Sequence, residues 1–290
     1  MKLYKIAKGS LLVIHDAAYI IDDDWDKLIN RDNLSGYLQQ IPVDAIPLSD
    51  EVYAEFMNGP VLPPIGSQEV WAAGVTYLKS RDARMEESEA SGAASLYDKV
   101  YDAERPELFF KSTAQRVSGH GREVYIRKDS AWNVPEPELT LFINSKGNIQ
   151  GYTIGNDMSS RSIEGENALY LPQAKIYEKS AALGPCLFVS AVPIDAASAI
   201  KLVIKRNDEV VYEDATTVSR IKRTFTELVN FLYAELSFPT GCFLMTGTCL
   251  VPPPTFTLQA GDVVEMTIDN IGTMVNTIAF NPKTNQLNQL

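Results

Sequence analysis

Hydrophobic and polar positions alternate in short runs along most of the chain after residue 102, and this pattern predicts β-strands. The runs are ELFFKS, EVYIRK, ELTLFI, GYTIGN, PCLFVS, IKLVIKR, EVVYED, FLMTG, DVVEMTI and MVNTIAF. Turn sequences such as NSKGN, KRNDE and QAGD lie between several of them. The larger, C-terminal part of the chain is therefore predicted to be a mixed, mainly β domain.

Helical periodicity is limited to a few segments. A helix is predicted over 219–236, where apolar residues recur at helical spacing, and another over 24–38. The runs LLVIHDAAYII and WAAGVT read as further strands. The polar segment 77–95 predicts either a mobile helical flap or a plain surface helix followed by a loose loop.

A connector rich in proline and glycine, residues 59–66, divides these elements. Proline disfavours helix and removes a backbone hydrogen-bond donor, so the connector is a plausible boundary. We expect a small N-terminal α+β domain over residues 1–66 and a larger domain over residues 67–290.

The composition restricts the classes of partner. A net charge of -11 and a pI near 4.8 argue against a nucleic-acid partner, since basic surface supplies most of that affinity. No apolar run is long enough for a signal peptide or a membrane span, so no membrane partner is expected. The three cysteines, Cys186, Cys242 and Cys249, have apolar neighbours and no CxxC spacing. Buried free thiols and a cytoplasmic location are expected.

Two glutamates lead into the apolar run of NVPEPELTLF. On a strand, Glu136 and Glu138 would share one face, about 6.6 Å apart. The NSKGN sequence after this run suits a hairpin turn. Pairing residue 143 with residue 149 across that turn places Asp157 opposite Pro135 and next to Glu136.

Three carboxylates at one end of a hairpin admit two interpretations. If they are buried, they repel one another unless one takes up a proton or a cation lies between them. Mg²⁺ suits such a ligand set, and Mn²⁺ or Ca²⁺ would accept it too. The alternative is that Glu136 and Glu138 lie on a solvated strand face and Asp157 caps a turn.

Several motifs together resemble the fumarylacetoacetate hydrolase family. They are PEPEL, GYTIGNDMSSR, LPQAKIYEKSAALGPCLF, LMTGT and IDNIGT, and the resemblance runs from about Trp71 to the end. It implies an α+β, mainly β fold with a mixed β-roll catalytic domain, usually dimeric, so a homodimer or homotetramer is expected. It also implies a metal site formed by Glu136, Glu138 and Asp157.

The family contains hydrolases, decarboxylases, isomerases and dehydratases, so finer features decide the reaction. Ser80 stands where hydrolytic members commonly carry a flap histidine, and Ser162 stands where an aspartate is usual. The stretches YDKVYDAERPELFFKSTAQRVSGHG and ENALYLPQAKIY are similar to the family's dehydratases of 2-keto-3-deoxy sugar acids. The expected activity is Mg²⁺-dependent dehydration of such a small anionic 2-keto acid to a semialdehyde. A hydrolase of acylpyruvate-type substrates and a non-catalytic metal-binding protein are the alternatives.

The resemblance also suggests roles for individual residues. Glu107 is the candidate base, although it could pair with Arg105 or cap a strand. Lys175 is the candidate for substrate binding and proton transfer, although it could be a surface lysine. His120, between two glycines, is a catalytic candidate or a structural histidine. The candidate substrate-binding residues are Tyr77, Arg81, Tyr101, Arg105, Gln173 and Thr248.

Overall fold

The computed structural model describes residues 1–7, 9–78, 85 and 94–282, with the backbone alone for 94–97. The strands are β1 Lys2–Ile6, β2 Gly9–Ile14, β3 Ala17–Ile21, β4 Glu69–Gly74, β5 Glu107–Thr113, β6 Val117–Ser118, β7 Arg122–Ile126, β8 Asn133–Val134, β9 Pro137–Ile143, β10 Ile149–Asp157, β11 Ser159–Ser160, β12 Ala181–Phe188, β13 Ala199–Arg206, β14 Glu209–Thr217, β15 Cys242–Met245, β16 Val263–Ile268 and β17 Gly272–Phe280. The helices are α1 Trp25–Ile29, α2 Leu34–Asp44, α3 Asp50–Asn58, α4 Ala94–Asp102, α5 Arg161–Glu166, α6 Leu171–Lys175 and α7 Phe225–Tyr233. Short 3₁₀ turns occupy Ala114–Arg116, Ala168–Tyr170 and Val218–Arg220. All ten strands predicted after residue 102 are confirmed.

Two large sheets form the body of the described residues. The first has the order β3-β2-β1-β12-β10-β9-β15-β4-β5, with β6 pairing separately with β12. The second has the order β14-β13-β16-β17-β7. β11, which follows β10 in the chain, forms a small separate pair with β8. The mainly β prediction is confirmed, and the sheets mix parallel and antiparallel pairs.

The first sheet is buried on both faces. Successive residues such as Leu141 and Phe142 are both fully buried, yet they belong to two different apolar clusters. One cluster continues into α1 and α2, whereas the other continues into the second sheet and α7. Because strand side chains point alternately to opposite faces, helices cover one face of this sheet and strands cover the other.

The N-terminal strands extend the first sheet across the predicted boundary. Lys2 and Leu3 of β1 pair with Phe188 and Leu187 of β12. The division into residues 1–66 and 67–290 stays a prediction. What the structure adds is that the N-terminal part contributes both strands and covering helices to the main sheet.

The helix predictions needed correction at their ends. The segment 24–38 forms two helices rather than one, because Asn33 caps α2 by accepting a hydrogen bond from the Gly36 N–H at 3.0 Å. The helix predicted over 219–236 begins at Phe225. There the Thr224 side chain accepts from the Glu227 N–H at 3.2 Å and fixes the N-terminus.

The hairpin of β9 and β10 carries a bulge that changes its register. Ile143 pairs with Ile149 as predicted, but the register shifts at Gln150. Beyond that point Glu138 faces Gly155, and Asp157 donates its N–H to the Glu136 carbonyl at 2.9 Å. The predicted placement of Asp157 opposite Pro135 is wrong by one residue, and the extra residue of the bulge is the reason.

Two smaller predictions can be compared with the structure. The three cysteines are buried free thiols, as expected. Among the described residues, no helix has both the length and the apolar character needed to span a membrane.

Candidate active site

Three carboxylates converge at one end of the β9–β10 hairpin. Oxygen atoms of Glu136, Glu138 and Asp157 lie within 4.8 Å of one another. These residues are 4%, 2% and 1% exposed, so the alternative of a solvated strand face does not apply. The bulge makes this convergence possible. A shift of one residue in strand pairing moves a side chain to the other face of the sheet, and here it places Asp157 on the same face as Glu136 and Glu138.

Lys175 lies among these carboxylates rather than on the surface. Its Nζ donates to Glu136 Oε2 at 2.7 Å, to Asp157 Oδ2 at 3.1 Å and to Ser159 Oγ at 2.6 Å. The residue is 1% exposed and ends the short helix α6. The structure therefore excludes the surface-lysine alternative and brings Lys175 to the acids.

Two further buried cations hold the acids, and neither was a candidate from the sequence. Lys111, on β5, pairs with Asp157 Oδ1 and donates to the carbonyls of Met158 at 3.0 Å and Lys175 at 2.5 Å. Arg161, at the start of α5, pairs with Glu136 Oε1. Burial lowers the pKa of Lys111, with the charge of Asp157 opposing that effect. A lone lysine inside the apolar run LFFKS was the signal that could have pointed to it.

Glu164 is a fourth buried carboxylate beside the three. Its Oε1 lies 3.9 Å from Lys175 Nζ, and its Oε2 lies 3.6 Å from Arg161 Nε. It is 1% exposed, one helical turn after Arg161. Nothing in the sequence SIEGEN distinguished this glutamate from Glu166, which is exposed.

The loop after β15 closes the site from another side. The Gly247 N–H donates to Glu138 Oε2 at 2.6 Å. Gly247 has φ +93°, and a Cβ there would lie 2.0 Å from Thr76 Oγ1, so the close approach requires glycine. Thr248, a predicted substrate contact, is 6% exposed and lines the same cavity as the acids.

The donor set fits a hard divalent cation. Burial, and then the charges of Asp157 and Glu136, raise the pKa of Glu138 well above its ordinary value. The cavity between the acids measures about 20 Å³, room for one water-sized ion. Four buried carboxylates face three buried cations among the described residues, so a divalent cation and a monoanionic substrate together leave this buried set of side chains formally neutral. Oxygen ligands of this kind suit Mg²⁺.

Glu107, the predicted base, reaches the rim of this cavity. It opens β5 and pairs with Gly74, which lines the cavity. A Cβ on Gly74 would lie 2.0 Å from Glu107 Oε2, so the carboxylate rests directly over the glycine. Val75 follows with φ 53°, an unfavourable conformation for a β-branched residue. Any side chain at position 74 would displace Glu107.

The predicted substrate-binding residues Tyr77 and Tyr101 lie in different surroundings. Tyr77 is 2% exposed, and its pKa is raised by burial, then by Cys249 and Glu138. Tyr101 packs with Val75 and lies beneath the Lys222 ammonium, 3.9 Å from its ring centroid. Arg81 and the position of Ser80 fall outside the described residues.

Three predicted residues are not gathered around the acids. Arg105 is exposed, with its guanidinium 5.2 Å from the ring centroid of Phe231. Gln173 is also exposed, and its carbonyl accepts from Arg127. His120 lines a different cavity, where its Nδ1 accepts from the Val275 N–H at 3.2 Å. The flanking glycines turn the backbone there, so a structural role for His120 accounts for its contacts.

Comparison with known proteins gives consistent matches. The model of the fumarylacetoacetate hydrolase C-terminal family matches residues 70–279. A probable 2-keto-3-deoxyxylonate dehydratase of Haloferax volcanii is 45% identical over 231 residues, which is 79% of this chain and 78% of that protein. The 2-dehydro-3-deoxy-D-arabinonate dehydratase of Saccharolobus solfataricus is 36% identical over 290 residues, covering 96% of both chains.

A solved structure extends the comparison to three dimensions. A 2-keto-3-deoxy-D-arabinonate dehydratase complexed with magnesium and 2,5-dioxopentanoate superposes with a TM-score of 0.83 at 32% identity. The match covers 97% of this chain and 99% of that one, so it includes the N-terminal strands and helices.

Replacing Gly247 tests how closely the loop must approach Glu138. Gly261 is a matched control, because it has φ +94° but its Cβ position has no neighbouring atom within 4 Å. We expect Gly261→Ala to cost about 1 kcal/mol of unfolding free energy from backbone conformation alone. Gly247→Ala should cost more and weaken Mg²⁺ binding at least about tenfold, because its Cβ displaces the N–H that binds Glu138. Urea unfolding and calorimetric Mg²⁺ titration measure both, and equal Mg²⁺ affinity in the two variants would contradict the prediction.

The raised pKa of Glu138 predicts a pH dependence. Without metal, the folded state keeps a proton on Glu138 that the unfolded chain loses above about pH 4.5. Stability contributed by this group is therefore present at low pH and falls as the pH rises, by up to about 1.4 kcal/mol per unit, until Glu138 ionises in the folded state. Saturating Mg²⁺ should remove this slope, because the cation replaces the proton.

Thermal melts between about pH 5 and pH 8, with and without Mg²⁺, measure that slope. Glu138→Gln is the control, since its side chain does not ionise. The same slope in wild type and Glu138→Gln would show that another group is responsible.

Proposed function

This chain belongs to the fumarylacetoacetate hydrolase family, and we propose that it catalyses the Mg²⁺-dependent dehydration of a 2-keto-3-deoxy pentonic acid to a 2-oxo-acid semialdehyde. The observation that carries the proposal is the nearly full-length similarity to the Saccharolobus solfataricus dehydratase, at 36% identity over 96% of both chains. The buried acids and Lys175 supply the chemical groups that such a reaction needs.

The two curated relatives point to one substrate despite their different names. In a 2-keto-3-deoxy pentonic acid, C2 is a carbonyl and C3 is a methylene, so only C4 remains a stereocentre. Acids made from D-xylose and from D-arabinose have the same configuration at C4, and the two names then describe the same molecule. We propose this acid, with the C4 configuration of the D-sugars, as the substrate.

Glu136, Glu138 and Asp157 would hold the metal ion. When bound, Mg²⁺ supplies Lewis-acid polarisation of the substrate carboxylate and C2 carbonyl, which acidifies the C3 proton and stabilises the enolate. Lys111 and Arg161 fix the orientation of Asp157 and Glu136 through their buried ion pairs. These two cations act by positioning the acids.

Glu107 and Lys175 perform the proton transfers in this proposal. Glu107, over Gly74 at the rim of the cavity, removes the C3 proton as general base. Lys175, held as an ammonium by Glu136 and Asp157, donates a proton to the C4 hydroxyl as it leaves as water. Loss of the C3 proton and the C4 hydroxyl leaves a C3=C4 double bond conjugated with the C2 carbonyl. A proton then leaves C5 and another adds at C3, so the double bond moves to C4=C5, and this enol tautomerises to 2,5-dioxopentanoate. One molecule of water is lost and no oxidant is needed.

Thr248 and Tyr77 complete the substrate surroundings that the structure supports. Thr248 lines the cavity, and Tyr77 is buried close enough for the charge of Glu138 to raise its pKa. Arg81 stays a proposed contact for a substrate carboxylate or hydroxyl. Arg105, Gln173, Tyr101 and His120 have no assigned step. A cytoplasmic homodimer or homotetramer is the accompanying proposal, and it rests on the family resemblance and the free thiols.

Incubation of the purified protein and Mg²⁺ with three compounds tests the reaction. The compounds are the two C4 enantiomers of 2-keto-3-deoxypentonate and an acylpyruvate. We expect 2,5-dioxopentanoate from the D-configured acid, detected by chromatography or by coupled aldehyde oxidation. Cleavage of the acylpyruvate alone would favour the hydrolase alternative, and no turnover of any compound would favour a non-catalytic protein.

Lys175→Met tests the assigned proton transfer. We expect kcat to fall on the order of 10²–10⁴-fold because the general acid is lost, while thermal stabilisation by Mg²⁺ persists because the three acids remain. Lys179→Met is the matched control, since Lys179 is only partly buried and its Nζ lies 3.6 Å from Glu123. Turnover of Lys175→Met within a few-fold of this control would remove Lys175 from the mechanism.

A further inference from the structure

A second cavity lies between the N-terminal part of the chain and strands of both large sheets. It measures about 520 Å³, far more than the space between the acids. Its walls come from β1, the connector after α3, the turn before β7, the middle of β12 and the start of β17. The acids and Lys175 line a different cavity, so the proposed reaction does not use this one.

Positive charge lines this cavity, and no described lining residue is acidic. Lys2 projects from β1, and Arg122 opens β7. Across the described residues, neither side chain forms a hydrogen bond or an ion pair, although the chain carries 37 acidic and only 26 basic residues. Two cations from separate strands therefore face one space with their charges uncompensated, and this arrangement favours an anion.

The other walls limit what kind of anion fits. Met57, Val61 and Pro185 contribute apolar surface, whereas Tyr4 is almost completely buried at the base. His120 closes one side, with its Nδ1 already bonded to the Val275 N–H. A ligand for this cavity needs anionic ends for the two cations and an aliphatic body for the apolar wall.

We propose that this cavity binds a short aliphatic dicarboxylate, independently of the metal site. One carboxylate pairs with Arg122, whose planar guanidinium suits bidentate contact, and the other pairs with Lys2. The aliphatic carbons lie against Met57 and Val61. A compact anion such as inorganic phosphate would leave this apolar surface uncovered.

Calorimetric titration of the full chain with succinate tests the proposal, in metal-free buffer at low ionic strength. We expect one site with a Kd of about 1 mM or below, weakened by added salt. Succinamide, the uncharged analogue, should not bind, and phosphate should bind at least about tenfold more weakly. Binding of succinamide equal to that of succinate would overturn the proposal, as would phosphate binding more tightly.

The variant Lys2→Gln/Arg122→Gln should weaken succinate binding at least about tenfold. Arg116→Gln/Lys201→Gln is the control, because it removes the same charge from exposed residues outside the cavity. Turnover of the 2-keto acid should be unchanged in both variants. If Lys2→Gln/Arg122→Gln does not fold, Arg122→Gln alone provides the comparison, since Arg122 is exposed.

Equal succinate affinity in the cavity variant and the control would overturn the proposal, as would no binding at roughly tenfold above 1 mM. Because the titration measures binding without substrate or metal, its failure is distinct from failure of the proposed dehydratase activity.

Discussion

Mutual repulsion of buried carboxylates is the constraint on which the rest of the site depends. Glu136, Glu138 and Asp157 place three carboxyl groups within 4.8 Å of one another. At an effective dielectric constant near 20, each pair of them costs about 3 kcal/mol or more when both groups are ionised. Lys111, Arg161 and Lys175 offset part of that cost through short ion pairs, and each lies on a different element. The fold therefore brings three cations, from β5, α5 and α6, to the end of the β9–β10 hairpin where the acids lie. A space between the acids remains for a further positive charge.

The same constraint links stability, metal affinity and catalysis. A residue that compensates the acids also positions them for a metal ion, and Lys175 is assigned a proton transfer as well. Removing one of these cations leaves a buried charge unpaired, which destabilises a fold more than loss of an exposed pair would. Effects on folding and on turnover consequently need separate measurements at every position of this network.

Much of the fold could be predicted, because strand periodicity is local and strong in this chain. The strands after residue 102 and the acids of PEPEL and GYTIGND needed only short windows of sequence. Helix ends were less accurate, since they depend on single capping side chains such as Asn33 and Thr224. The pairing of β1 with β12 joins residues nearly two hundred positions apart, and no local pattern contains that information.

Three carboxylates of the candidate site and Lys175 were predicted from the sequence, whereas Lys111, Arg161 and Glu164 were not. Glu136 and Glu138 are separated by one residue, and this spacing predicts that they share one face of a strand. The family motifs supported Asp157 as the third carboxylate. Lys111 is a single charge in an apolar strand, and Glu164 resembles its exposed neighbour Glu166. Their burial follows from how β5 and α5 pack, which is a tertiary property. The three predicted carboxylates could have prompted a search of the sequence for cationic partners, because buried anions need nearby positive charge.

The bulge at Gln150 shows that a binding site can be encoded by the length of a strand as well as by its residues. The Gln150 side chain is not part of the site. As the extra residue of the bulge, however, Gln150 shifts the register so that Asp157 faces the same side as Glu136 and Glu138. Loss of one residue between Ile149 and Asp157 would leave every ligand present in the sequence and turn the third carboxylate away. A comparison of ligand residues alone would then count the site of the shortened chain as intact. The number of residues between Ile149 and Asp157 therefore matters for the site as much as the identity of the ligands.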